Sequence, residues 1–406
     1  MGSRDSGWKF GVEPEPYEIT GKGARYVVLL VMGGDDEDMD PQLYSDFWEM
    51  TKGVSEDVAL LALVDYRGDD CSRVMEVRPG SVDPVEQLAE ICTGDPRPVA
   101  DFLARGLVSF GEETRFAVGF WGHGNGVFED FDSAEVVLDR GLRFGPLGFA
   151  GGEFMELIGS AQDRSMLPDE TSGNALTNRE AGSALAAAFS RAGRRVPVDL
   201  LFFDTCLNGS VEVYAELERF ARVFVASSLL VDGAGWHYEL WLRITRDRPP
   251  ETAEEWAHLA VKAYEVVYSR AEEPAHLVAT RCGLGFVKAF GELVKALVSR
   301  GARGKALVSE AARQARSVYY EENRDLGDLV RSVRKLTEDD EIKGLADRFL
   351  ESHEEAVVSA TECEDPLSGM TVWCPVGRDE EKVGRYYRGL EFERVTGWGE
   401  LVGSGI

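Results

Sequence analysis

Two kinds of apolar pattern alternate along the first half of the chain. Short stretches are apolar at nearly every position: Tyr26–Met32 (YVVLLVM), Val58–Val64 (VALLALV), Phe116–Trp121 (FAVGFW), Val198–Phe203 (VDLLFF) and Val223–Ala226 (VFVA). They are too short for globular helices and rich in β-branched and aromatic residues, the signature of strands buried on both faces. Between them, residues 41–52, 97–110, 178–192 and 208–220 carry helical periodicity, with Pro41 suited to a first turn and Asn178 to an N-cap. This alternation predicts a mostly parallel sheet with helices on both faces. In such sheets chemistry collects beyond the carboxyl ends of the strands. Here those ends read Gly33-Gly34 before Asp35-Asp36-Glu37-Asp38, Gly122-His123-Gly124, and Asp204-Thr205-Cys206.

Past Trp236 the pattern becomes that of amphipathic helices, at 251–271, 286–299, 302–320, 326–336 and 342–351, with one late strand near 370–375. The expected organisation is therefore an N-terminal tail (1–24), an α/β domain (25–240) and a C-terminal, mainly helical subdomain (241–406) that returns its strand to the sheet. A Gly-, Asp-, Glu- and Ser-rich excursion at about 128–177 is too long for an ordinary connection.

Composition narrows the function. The 406 residues include 72 Asp and Glu against 44 Lys and Arg, a net charge of −28. Such a surface repels nucleic-acid phosphates, so no nucleic-acid partner is expected, while basic peptides and cations are attracted. No stretch approaches the ~20 apolar residues of a membrane span, so no membrane partner is expected. The polar start lacks the apolar core of an export signal, and the six cysteines are scattered without a CxxC pair. These features suggest a thiol chemistry in a reducing, cytoplasmic setting. The oligomeric state is left open.

Two strand ends hold groups suited to nucleophilic catalysis. Cys206 follows a buried strand and precedes an expected helix, whose N-terminus would favour a thiolate. His123 lies between glycines that let the backbone turn sharply and approach a substrate. The amides of Gly124 and Cys206 could both face a developing oxyanion. Each residue also has an ordinary structural reading: a packed cysteine, and a tight glycine turn with an incidental histidine.

The segments Val27–Asp40, Phe120–Gly126 (FWGHGNG), Leu200–Glu212 (LLFFDTCLNGSVE) and Val225–Tyr238, in this order, resemble the clostripain-like cysteine peptidases, relatives of caspases, legumains and gingipains. Leu176–Glu180, Tyr319–Leu329 and Gly369–Pro375 are weaker echoes. The resemblance implies a caspase-like three-layer α/β/α sandwich. It also implies a dyad of His123 as base and Cys206 as nucleophile acting on peptide or protein substrates, and a role for Asp204 in lining the pocket for the side chain before the scissile bond. A carboxylate there would favour Arg or Lys. Asp232 is a second pocket candidate. Some relatives cut themselves between the two dyad residues, where this chain has Arg140, Arg143 and Arg164. Several need calcium; no cofactor is required by the sequence, and the Asp35–Asp38 run reads first as a solvated acidic turn, with calcium as a candidate ligand. Ser227-Ser228-Leu229 stands where relatives carry an acid, and His237 reads as a packing or rim residue. Two other readings stay open: a silent caspase-fold binding or regulatory protein, and a peptide ligase using the same dyad.

Overall fold

The computed structural model describes residues 13–68, 72–127, 166–268, 276–283, 285–362, 366–375 and 387–402. The strands are β1 (Tyr26–Gly34), β2 (Val58–Tyr66), β3 (Arg73–Arg78), β4 (Ser81–Gln87), β5 (Arg115–Trp121), β6 (Met166–Asp169), β7 (Asn174–Leu176), β8 (Val198–Asp204), β9 (Ala221–Ala226), β10 (Val278–Arg281), β11 (Ser317–Val318), β12 (Tyr320–Asp325), β13 (Val357–Ala360) and β14 (Thr371–Trp373). The helices are α1 (Met39–Gly53), α2 (Pro96–Val108), α3 (Asn178–Arg191), α4 (Val211–Leu217), α5 (Tyr238–Asp247), α6 (Ala253–Tyr268), α7 (Phe286–Ser299), α8 (Ala302–Gln314), α9 (Leu326–Leu336), α10 (Asp340–Ala356), α11 (Glu391–Thr396) and α12 (Gly399–Val402).

The main sheet has the order β13-β10-β9-β8-β5-β1-β2-β3-β4. Its five central strands, the apolar runs of the sequence, are parallel; the pairs at both edges are antiparallel. Side chains of β1 alternate between two cores, as a period of two requires. Val27, Leu29 and Val31 face α2, α3, α4 and the C-terminal helices. Val28, Leu30 and Met32 face α1, α5 and α6. The fold is the expected caspase-like α/β arrangement with helices on both faces.

The C-terminal part joins this sheet differently from expectation. The strand near 370 is β14, which pairs with β12 in a separate three-stranded sheet and touches the main body through a bridge to Ser210. The main sheet is extended instead by β10 and β13. Both have only four residues, too few to show a period against the helices around them. Among the described residues no helix is long and apolar enough to cross a membrane.

Candidate active site

The central pair β5 and β8 runs in register, with Phe120 opposite Phe203 and Trp121 opposite Asp204. Each strand continues two residues, one to His123 and the other to Cys206, so the two side chains leave neighbouring strand ends. The loops stay pressed together. The Gly122 amide donates to the Asp204 carbonyl at 3.2 Å. A methyl group on Gly124 would lie 2.6 Å from the Cys206 carbonyl oxygen and 2.7 Å from Thr205 Cβ. At Gly126, with φ +64°, it would lie 2.6 Å from the Leu207 oxygen. The glycines beside His123 are therefore demanded by close approach, not merely by a turn. Asn208 locks the contact: its Oδ1 accepts from Gly126 N (3.0 Å) and its Nδ2 donates to Thr205 Oγ1 (2.9 Å). His123 and Cys206 are each only 7% exposed.

Cys206 does not sit on a helix N-terminus as the sequence suggested. The helix expected from Asn208 begins at Val211, capped by Ser210, and Leu207 takes a left-handed φ of 62°. The intervening turn is held from the side by Leu229 and Ser227, whose carbonyls accept from Leu207 N (3.1 Å) and Gly209 N (2.7 Å). The sulfur instead accepts from the Val231 amide at 3.3 Å. Burial pushes the thiol up to about 12; the Val231 amide opposes this, and Asp204 and Asp232 add to it. This surrounding favours the protonated thiol over the thiolate.

On the other side, His123 Nε2 lies 3.4 Å from Asp36 Oδ1. Asp36 is 2% exposed, and the same oxygen accepts from Asp38 N (2.8 Å) and Met39 N (3.2 Å) at the start of α1. Burial alone would raise this carboxyl, but the bond and charge of His123 and the two amides outweigh it and hold it below the usual range. The acidic run at 35–38 is therefore not a solvated turn in its first half: Asp35 is as buried as Asp36. Tyr320, from the β11–β12 hairpin, donates its hydroxyl to Asn125 Oδ1 at 3.0 Å in the histidine loop. Nothing local in the sequence marks Asp36 or Tyr320, because their partners are 87 and 195 positions away.

Asp204 points to the opposite face of the sheet from Phe203 and is 4% exposed. Its Oδ2 accepts from Trp236 N (3.1 Å) and the Tyr238 hydroxyl (2.8 Å). Asp46 approaches the same place: a methyl on Gly235 would lie 2.9 Å from Asp204 Oδ2 and 3.3 Å from Asp46 Oδ2. Burial raises both carboxyls, Asp204 to about 7; the charge of Asp204 adds to the rise at Asp46, and that of Glu49 to the rise at Asp204. Asp46 also accepts from Trp121 Nε1 at 2.5 Å. Asp232 is exposed on the 229–236 loop, where its Oδ1 accepts from Ala234 N. That loop is backed by Tyr268, whose hydroxyl donates to the Gly235 carbonyl at 2.7 Å.

Remaining expectations resolve simply. His237 pairs with Glu49 at 3.0 Å. Ser228 donates to the Gly209 and Gly369 carbonyls, a structural use. Among the described residues neither the Gly124 nor the Cys206 amide has an acceptor. Arg140, Arg143 and Arg164 lie outside the described residues.

The sequence model of the clostripain family, Peptidase C11, matches residues 152–358, a span holding Asp204, Cys206 and Asp232 and starting after His123. No curated protein matches. Among solved structures, a secreted C11 cysteine protease from Bacteroides thetaiotaomicron in complex with an irreversible peptide inhibitor is similar at 15% identity and a TM-score of 0.64, over 92% of this chain and 99% of that one. A structure of the secreted C11 protease "iotapain" from the same organism gives 14% and 0.66 over 92% and 99%. An inactive zymogen C11 protease from Parabacteroides distasonis gives 13% and 0.62 over 93% and 99%. Two of these neighbours are described as secreted, which overturns the expectation of a cytoplasmic chain. With half of its length matched by the family model and the shared fold around it, the chain belongs to the clostripain family and is a cysteine-type peptidase.

Proposed function

We propose that the protein is an endopeptidase that cleaves after Arg or Lys, with Cys206 as nucleophile and His123 as general base. The observation that carries the reading is the in-register pairing of β5 with β8, whose ends lead two residues on to His123 and to Cys206. A thiol at about 12 is poorly reactive alone, so His123 takes its proton as Sγ attacks the scissile carbonyl carbon. The oxygen gains the charge and meets the Gly124 and Cys206 amides, which lack acceptors among the described residues. His123 then returns the proton to the departing amine, and water hydrolyses the thioester. Asp36 faces the imidazole on its Nε2 side at 3.4 Å and is a positioning residue.

The specificity reading rests on Asp204 and Asp46 beneath the Gly235 turn, with Asp232 at the rim. A basic side chain entering there would meet carboxylates on a floor with little exposure, where charge recognition is strong. Fluorogenic peptides ending in Arg, Lys, Asn or Asp test this. Wild type is expected to cleave the Arg and Lys members, Cys206→Ala none, and Asp204→Asn to lose roughly 30-fold or more in kcat/KM on the basic peptides. Cleavage of the Asn or Asp peptides in preference to the basic ones would overturn the specificity, and turnover by Cys206→Ala the nucleophile.

A further inference from the structure

Among the described residues, three with side chains take a left-handed backbone: Leu167 (φ 52°), Leu207 (φ 62°) and Tyr319 (φ 55°). That conformation is costly for a bulky residue and persists only where its surroundings impose it. The two leucines are buried and serve the dyad loops directly. Leu167 N donates to the His123 carbonyl at 3.0 Å, and Leu207, next to Cys206, donates its amide to the Leu229 carbonyl at 3.1 Å. Tyr319 differs from both. It is only half-buried, at the turn between β11 and β12, so core packing does not account for its conformation.

The turn that carries Tyr319 is clasped to both loops of the dyad. Tyr320 donates to Asn125 Oδ1, two residues past His123. β12 pairs with β14, Asp325 lying opposite Thr371, and Thr371 N donates at 3.0 Å to the carbonyl of Gly209, three residues past Cys206. The turn itself is closed by Ser317 Oγ, which donates to the Tyr320 carbonyl at 3.1 Å. The rings of Tyr319 and Tyr320 meet edge to face with centroids 4.7 Å apart, and both residues stay half-buried. Burial raises the Tyr320 hydroxyl, and the charges of Tyr319 and Cys206 add to the rise, which puts the ring pair within electrostatic reach of the nucleophile.

What the pair does there follows from the path of the proton, and so rests on His123 being the base that serves Cys206. His123 hands its proton to the departing amine, so that nitrogen lies against the imidazole. The residue following the scissile bond begins at that nitrogen, and its side chain packs on the side of the 122–126 loop, where Tyr320 is anchored. We infer that Tyr319 and Tyr320 form an aromatic wall for this side chain and select an aromatic or large aliphatic residue after the cut. An edge-to-face pair offers a ring face and a ring edge, and a further ring or a branched alkyl group packs on either. The left-handed turn then has a use: it sets the Tyr319 ring across that of Tyr320.

The test digests a peptide mixture randomised at every position with the full chain and reads the cut sites by mass spectrometry. The residue before each cut reports on the Asp204 pocket and the residue after it on this wall, so either reading can fail alone. Phe, Tyr, Trp, Leu and Ile are expected to be enriched after the cut. Two peptides matched up to the cut, one with Phe and one with Gly after it, then give a ratio of kcat/KM values. Tyr319→Gly removes the ring at a backbone angle that glycine adopts freely, and should lower the ratio roughly 5–10-fold. Tyr319→Phe keeps the ring and should hold it. A merely structural Tyr319 would move both substrates together and leave the ratio as in wild type. That result, or cut sites without the expected enrichment, would overturn the wall.

Discussion

At the scale of single residues, the site is a set of buried ionisable groups whose neighbours decide their charge. Asp36 stays ionised because two helix-start amides and His123 face it. Replacing it with Asn keeps the shape but lets the amide select the wrong imidazole tautomer. Asp36→Asn is expected to lower kcat by roughly 10²–10⁴-fold with KM little changed, as loss of an imidazole-orienting carboxylate does. Steady-state kinetics on an Arg peptide read this directly, and an unchanged kcat would remove Asp36 from the mechanism. The sequence pointed to His123 and Cys206 as candidates through their strand-end setting, and to Asp204 through its place before the cysteine. It could not disclose Asp36 as the partner of His123, or Asp46 as the partner of Asp204. Asp36 follows the first strand and Asp46 lies on the first helix, and only the fold brings them across.

At the scale of elements, the five parallel strands were legible because each is a buried, uninterrupted apolar run, and α7 and α9 because their apolar stripes are strong. The short strands β10 and β13 were not, since a four-residue strand is fixed by its neighbours rather than by its own pattern. The helix after Cys206 was misjudged at its start: the polar stretch Asn208-Gly209-Ser210 continues a helical pattern on paper, but Asn208 is spent on bracing the histidine loop. That bracing carries its own prediction. Gly124→Ala forces a methyl into the Cys206 carbonyl and should pry the two loops apart, costing about 1–3 kcal/mol of stability and most of the turnover. Gly111→Ala, where an added methyl meets only Thr114 Oγ1 at 4.0 Å, is the matched control and should behave as wild type. Thermal melts and initial rates on the two variants separate these outcomes.

At the scale of the whole molecule, buried acids and a net charge of −28 act in the same direction. Burial raises Asp204 and Glu212 each to about 7; Glu212 Oε1 accepts from Trp373 N and the Tyr387 hydroxyl, both at 2.9 Å. For acids raised above their unfolded values, the folded state binds more protons, so stability is fullest below the unfolded pKa near 4 and is lost as pH rises toward 7. Self-repulsion of the acidic surface grows over the same interval. The protein should therefore melt higher at pH 5.5 than at pH 8, by an amount on the order of a few kcal/mol in stability. In Asp204→Asn, which keeps an acceptor for Trp236 and Tyr238, the gap should narrow. A melting temperature that climbs steadily from pH 5.5 to 8 would contradict this account.

The alternation of β8 has a consequence for how such a peptidase can diversify. Phe203 faces one core and Asp204 the other, so Asp204, Asp46 and Trp236, the floor of the proposed pocket, are packed with α1, α5 and α6, while α2, α3 and α4 support the reverse side of the sheet. Drift in the α5–α6 layer can therefore re-tailor which side chain is admitted with the scissile chemistry left as it was. Selectivity and turnover would be separately heritable traits of one strand.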